Sequence, residues 1–481
     1  MEVTRENLET TLHNDALAAT ATQAARKTGL HIHIAGSAVA DALVGTTPTG
    51  LTIACDRDAG TMARALASAT GMIPVHLKGS RGVVALLPRA FEVTDRRTIV
   101  VVPAGSGIDE HLLGAGFTVQ AMAFDPDSGA LVDPFGGESD LAAGRLKAVS
   151  PGGLYAQPSR VLTAVQLGAR YRLEIEENTL QALKRAAPAL GRVEPRLVWG
   201  ALARLMRAPR PADTASTLRE LGALAALLPE VADVFDVPQN YYHHLGVWGH
   251  TLEVMEHLEA MLDDPSSDFK VYGARIVAHM AVSVEGGVDR RAFLFFSALI
   301  HDIGKAATMT VTQSGRIRFQ GHQEASARLA DRISRRLSLG RRGRSQVVGL
   351  VGQHMRLGFL MKEGESAASR LRVVRDLGSR AVDVAVLSLA DRLATRGEAS
   401  TSEGVERYER VVRRVIADYF WDRDYPSLVR GGEVSVLARV PPGPEISQKL
   451  LDIRVAQREG LVSNWQQALE YVSPDFKGKM R

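Results

Sequence analysis

The stretch FLFFSALIHDIGKAAT, Phe293–Thr308, decides how the middle of this 481-residue chain is read. From Phe293 to Ile300 it is apolar apart from Ser297, and the run ends on the adjacent pair His301-Asp302. An imidazole and a carboxylate at the end of such a run are costly to desolvate unless something pairs with them. A divalent metal is an effective partner, because a nitrogen and an oxygen donor on one helical turn converge on the same ion. The alternative is a helix end whose polar residues emerge into water.

Four more polar residues sit on or beside apolar helical patterns. His250 lies in HHLGVWGHTLEVMEHL, among Leu245, Val247, Trp248, Leu252 and Met255. His322 follows a turn in QSGRIRFQGHQEASARLADRI and opens a helical pattern. His354 stands in VVGLVGQHMRLGF, and Asp391 ends the apolar run of AVLSLADRLATRG. Singly, each reads as an ordinary buried or surface residue. In order, the set His, His-Asp, His, His, Asp resembles the HD superfamily of metal-dependent phosphohydrolases over residues 236–400.

That resemblance implies one or two ions. His250, His301, Asp302 and Asp391 would hold the first, and Asp302 would bridge to a second held by His322 and His354. Two-metal sites clamp a phosphate and generate hydroxide from bound water, which makes Asp302 central to catalysis. Imidazole with carboxylate suits Mn, Fe, Co, Ni or Zn better than Ca, with Mg as an alternative. Lys305, a turn beyond the pair, reads either as a catalytic group neutralising a phosphoryl oxygen or as a solvated helix end. Arg392 is a second candidate for contact with substrate.

The length calls for several domains. Hydrophobic content of 45% and charged content of 23% are ordinary for a globular protein. The single cysteine, Cys55, leaves neither an intramolecular disulfide nor a cysteine-cluster metal site. No apolar run is long enough to span a membrane, and MEVTRENLETTLHND lacks the pattern of a secretory signal, so a cytoplasmic protein is expected. The net charge of +4 and a pI near 9.2 are compatible with an anionic partner. RRLSLGRRGR groups Arg335, Arg336, Arg341, Arg342 and Arg344, either as a phosphate-meeting patch or as a solvated loop between helices.

Up to about residue 150 helix and strand alternate. ALAATATQAARKTG predicts a helix ending at Gly29, and HIHIAG, LTIACD, GVVALLP and TIVVVP predict strands. Beyond Pro158 the periodicity is helical. Pro209 and Pro211 break it, and it resumes with Thr214 or Ser216 as the cap. VPQNYYHHLGVW predicts an ordered loop, DDPSSD and SVEGGVD flank an extra segment, and RVPPGPE interrupts a helical tail.

The head carries a second resemblance. HIAGSAVADALVGTTPTGLTIACD aligns without gaps with the opening of the bacterial tRNA nucleotidyltransferase and poly(A) polymerase family that bears a C-terminal HD domain. Gly36, Ala38, Val39, Asp41, Leu43 and Gly45 match the scaffold. Ser37 replaces the second glycine, Ala40 the arginine, and Gly50-Leu51-Thr52 the Asp-x-Asp that holds metal ions. Gly114, Ala115, Gly116 and Gln120 replace the polar members of Arg-Arg-Asp-Phe-Thr-x-Asn, while Phe117 and Thr118 remain. Of the base-reading Glu-Asp-x-x-Arg only Arg160 remains, as a candidate for substrate binding, beside Ala156 and Gln157. Pro442-Gly443-Pro444 and Ala456-Gln457 match the closing module.

The resemblance implies a multidomain chain: an α/β nucleotidyltransferase-like head (1–150), an all-α neck (151–235), an all-α HD domain (236–400) and a helical tail (401–481). The leading expectation is an HD phosphohydrolase or phosphodiesterase acting on nucleotides or RNA ends, as 2′,3′-cyclic phosphates or phosphomonoesters, with an inactive head. The second is a non-catalytic protein that binds RNA, tRNA or a nucleotide. The third is tRNA nucleotidyl transfer with other carboxylates, such as Glu92 or Asp95.

Overall fold

The computed structural model describes residues 2–76, 82–88, 97–105, 107–240, 244–397, 400–437 and 441–473. Two compact units divide it: residues 1–193 with 217–227, and residues 194–216 with 228–481.

The first unit is built on one sheet of β1 (Ile32–Ala35), β2 (Gly50–Cys55), β3 (Ile73–His76), β4 (Val84–Leu87), β5 (Thr98–Pro103), β6 (Ala123–Phe124) and β7 (Leu131–Val132). Their order is β3-β4-β5-β2-β1-β6-β7. Only the β2–β5 pair is parallel. Alternation along β2 turns Leu51, Ile53 and Cys55 to one face, where they are buried beside Ile32, Ile34, Ile99 and Val101 of the neighbouring strands. The helices Ala16–Thr28 and Ala59–Thr70 pack on the sheet. Asp15 caps the first through the amides of Leu17 and Ala18, and Gly29 ends it at φ +65°. The opposite face of the central strands carries His33, Ala35, Thr52, Ala54, Val100 and Val102.

Asp41, fully buried, fixes the turn between β1 and β2. Its carboxylate accepts from Tyr171 Oη at 2.6 Å and the Thr49 amide at 3.3 Å, and it pairs with Arg170 at 2.7 Å. β3, β6 and β7 go beyond the sequence reading: β6 and β7 are two residues each, too short for alternation to register, and β3 carries Pro74 and is exposed along its length.

The second unit is helical. Phe293–Ile300 lies within the helix Arg290–Ile300 and is buried on every side, as an all-round apolar helix must be. Trp199, on the helix Pro195–Arg207, meets Phe293 and Phe296 at centroid distances of 5.2 and 5.1 Å. The tail folds over its own cluster of Val434, Ile453, Ala456 and Leu469.

Three local expectations are revised or bounded. The helix Pro211–Glu220 starts at Pro211, so Thr214 and Ser216 lie inside it. Proline breaks a helix only in its interior; in the first turn its missing N–H has no partner to lose. SVEGGVD forms a hairpin of Ser283–Glu285 with Val288–Asp289, turning at Gly286 and Gly287 with φ of +58° and +79°. Residues 241–243 of the expected loop VPQNYYHHLGVW lie outside the described residues. No described helix is long and apolar enough to cross a membrane.

Replacing Phe296 by alanine is expected to cost about 3–5 kcal/mol of stability, because a fully buried ring leaves a cavity. Chemical denaturation measures it, and a loss below about 1 kcal/mol contradicts the packing described.

Candidate functional site

The second unit brings together the six residues singled out by their order in the chain. His250 lies in the helix Val247–Asp263, and His301 caps the C-terminus of Arg290–Ile300. His322 opens the helix His322–Arg336, His354 caps Arg341–Gln353, and Asp391 lies near the end of Ala381–Leu393. They form two groups, His250 with His301 and Asp391, and Asp302 with His322 and His354; in each, the potential donor atoms lie within 4.8 Å of one another.

Asp302 joins the two groups. Its Oδ2 lies 3.1 Å from His301 Nε2 and 3.8 Å from His250 Nε2, and its Oδ1 lies 3.5 Å from His322 Nε2 and 3.8 Å from His354 Nε2. Asp391 Oδ1 lies 2.9 Å from His250 Nε2. Asp302 is only 2% exposed, yet its Oδ1 has no hydrogen-bond partner, and neither has His301 Nε2.

The imidazoles share one arrangement. Nδ1 of His301, His322 and His354 lies 2.7–2.8 Å from the carbonyl three residues earlier, and Nδ1 of His250 lies 3.4 Å from Ala394 O. In His301, His322 and His354 an Nδ1–H donated to a carbonyl fixes the ring and turns Nε2 towards the carboxylates. An unsatisfied buried nitrogen beside an unsatisfied carboxylate oxygen fits a cation better than a closed hydrogen-bond network.

Gly304 makes the convergence possible. A Cβ there would lie 2.4 Å from His322 O and 2.5 Å from Ser326 N, and the Gly304 amide donates to Ser326 Oγ at 2.9 Å. Any side chain would push the helix carrying His322 away from Asp302.

Lys305 is not a solvated helix end. It is 4% exposed, its Nζ lies 2.6 Å from Asp302 Oδ2, and it donates to Gln239 Oε1. Arg392 lines the same cavity of about 420 Å³ and donates to Thr395 O and Ser400 Oγ. Lys362 lines it too, a residue the motif order gave no means of finding. Arg160 belongs to the first unit, where it donates to the carbonyls of Gly153 and Gly114. The arginine-rich segment is partly neutralised: Arg336 pairs with Glu230 at 2.7 Å and Arg335 with Asp331 at 2.9 Å.

In the head, register places Gly50 opposite Thr98, and Thr52 between Ala35 and Val100. None of these residues is a carboxylate. Asp58 is occupied as a helix cap through the Thr61 amide at 2.9 Å. Gln120 donates to Ser37 Oγ at 2.9 Å, so two positions that depart from the family pattern bond to each other. Glu92 and Asp95 lie outside the described residues.

Residues 247–396 match the HD domain, and residues 172–235 match the probable RNA and SrmB-binding site of polymerase A. The CC-adding tRNA nucleotidyltransferase of Thermus thermophilus is 30% identical over 91% of this chain and 92% of its own length. The A-adding tRNA nucleotidyltransferase of Deinococcus radiodurans is 30% identical over 77% of this chain and 80% of its own. The chain belongs to the tRNA nucleotidyltransferase family. The fold agrees: the Thermotoga maritima CCA-adding enzyme complexed with tRNA superposes with a TM-score of 0.60 at 17% identity, over 97% of both chains.

These relatives overturn the leading functional expectation. A hydrolase with an inactive head rested on the departures from three head motifs and on the ligand set, whereas the similarity to tRNA nucleotidyltransferases runs through nearly the whole chain. The missing carboxylates describe how this family member differs from the family pattern.

The electrostatics give a pH signature. Burial, and then the charge of His301, hold His354 down to about 4, below the ordinary imidazole value of 6.5. The stability it contributes is therefore complete above pH 6.5 and is lost as the pH falls towards 4. His301 moves the other way: burial lowers it, but the adjacent Asp302 carboxylate outweighs burial and raises it. Its contribution is complete below the ordinary imidazole value and is lost as the pH rises through the shifted one. In the metal-free protein, His354→Gln is expected to flatten the fall of Tm between pH 6.5 and 4. An acid limb identical to wild type contradicts the assignment.

Proposed function

We propose that this chain is a tRNA nucleotidyltransferase acting at the 3′ end of tRNA, adding CMP or AMP. The observation that carries the reading is the match to the CC-adding enzyme over 91% of the chain, head included. The sheet, the Gly36 turn and the Asp41 lock keep a frame on which such an enzyme works. Nucleotide and tRNA are the partners this reading gives.

Nucleotidyl transfer calls for carboxylates that hold metal ions against the triphosphate. β2 does not fit such ions: Gly50 offers no side-chain donor, Thr52 offers a neutral hydroxyl, and Ala35 and Val100 add nothing. The carboxylates have to come from elsewhere in the head, with Glu92 and Asp95 as candidates. A head so equipped is expected to be slow.

In the second unit, we propose that His250, His301, Asp302 and Asp391 hold one divalent ion and that Asp302 bridges to another held by His322 and His354. Mn, Fe, Co, Ni or Zn suits these donors, with Mg as an alternative. Such an ion supplies positive charge to a phosphate group. Lys305 positions Asp302 and neutralises it when no ion is bound; Arg392 faces an anionic ligand across the cavity. Arg160 serves substrate binding in the head through the Gly114 backbone it holds. Functionally the chain divides into head (1–150), neck (151–235), HD domain (236–400) and tail (401–481).

The test is incorporation of labelled CMP or AMP onto tRNA lacking its terminal nucleotides, with Mg²⁺ or Mn²⁺. Slow, tRNA-dependent incorporation is expected, lowered by Glu92→Gln or Asp95→Asn. Thr52→Asp is expected to raise it by roughly tenfold or more, since it returns a charged metal ligand to β2. Gly50→Asp is the poorer repair, because a Cβ there would lie 3.0 Å from Thr98 O. No incorporation by either wild type or Thr52→Asp contradicts the proposal.

A further inference from the structure

We propose that His31, His33 and Asp125 form a binding site for a divalent transition metal at the edge of the head-sheet face that carries His33, separate from the six residues of the second unit. His33 is in β1 and His31 just before it; two residues apart on an extended strand, they present their rings to the same face. Asp125 directly follows β6, the strand beside β1. Donor atoms of all three lie within 4.8 Å of one another.

The spacing favours ligands around an ion over a direct bond. His31 Nε2 lies 3.4 Å from Asp125 Oδ2. That is long for an N–H···O hydrogen bond. Two donors about 2.0–2.1 Å from a tetrahedral ion stand about 3.3–3.5 Å apart. The two imidazoles meet edge to face at a centroid distance of 4.8 Å, which leaves them able to converge on one point.

The donors are held in place before any ion arrives. Asp125 Oδ1 accepts from the Asp127 amide at 2.9 Å, and Oδ2 accepts from Ser128 Oγ at 2.7 Å. The turn is closed by the Gly129 amide on Asp125 O at 2.9 Å, with Gly129 at φ +73°. Such supporting bonds orient a ligand carboxylate without occupying all its lone pairs. His33 is shifted towards its neutral form, by burial first and by His31 second, and a neutral imidazole is the form that ligates. The carboxylates of Asp125, Asp109 and Asp56 add negative charge around it.

Two nitrogens and one carboxylate oxygen select zinc, nickel, cobalt or ferrous iron over magnesium or calcium. His31 and Asp125 are partly exposed, with side-chain exposures of 43% and 15%. Solvent or a ligand phosphate therefore has access to the remaining positions on the ion.

The test is metal content. Wild type, His33→Ala and Asp125→Asn are loaded with Zn²⁺, freed of excess by gel filtration and analysed by mass spectrometry of the metal. Asp125→Asn retains an oxygen acceptor for the turn, which guards against a variant that fails only by misfolding. Each variant is expected to hold one zinc equivalent fewer than wild type, whatever the second unit retains. Both variants matching wild type would overturn the proposal.

Discussion

The second unit depends on one buried carboxylate. Asp302 is withdrawn from water, and burial alone would raise its pKa; the charges of His301, Lys305 and His322 hold it well below the usual carboxylate range. A charge in that position is tolerated only while its surroundings stay assembled. Several features of the unit serve that assembly. The apolar helix Arg290–Ile300 delivers His301 and Asp302 at its end, Gly304 admits the neighbouring helix within backbone contact, and carbonyls pin the imidazoles. Lys305 supplies the positive charge that stands in when no ion does.

The head rests on a different balance. Its frame is kept by apolar strands, by Gly36 at φ +77° and by the Asp41–Tyr171–Arg170 network. Gly50 and Thr52 stand on β2 where the family pattern has carboxylates, and Ser37 bonded to Gln120 stands where it has a glycine and an asparagine. On the same sheet, packing residues match the family pattern and the chemistry residues depart from it.

The His-Asp set is legible in the sequence because each member ends or opens an apolar helical pattern, a signal that survives without coordinates. The anchoring of each Nδ1 is not legible, since it depends on rotamers and on which carbonyl a helix end exposes. Lys305 is open to two readings in the sequence for the same reason: whether its ammonium meets water or Asp302 is a matter of how the following turn folds. The period-two histidines of HIHIAG are visible as a strand, but their partner Asp125 is brought beside them only by the β1–β6 pairing.

The central claim is that Asp302 is built to lie between cations. Anomalous scattering from crystals grown with manganese or zinc tests it most directly. Density is predicted to flank the Asp302 carboxylate, about 2.0–2.2 Å from its oxygens and from the Nε2 atoms of His301 and His354. A well-ordered site without such density at millimolar metal, with Lys305 still on Asp302, would contradict it.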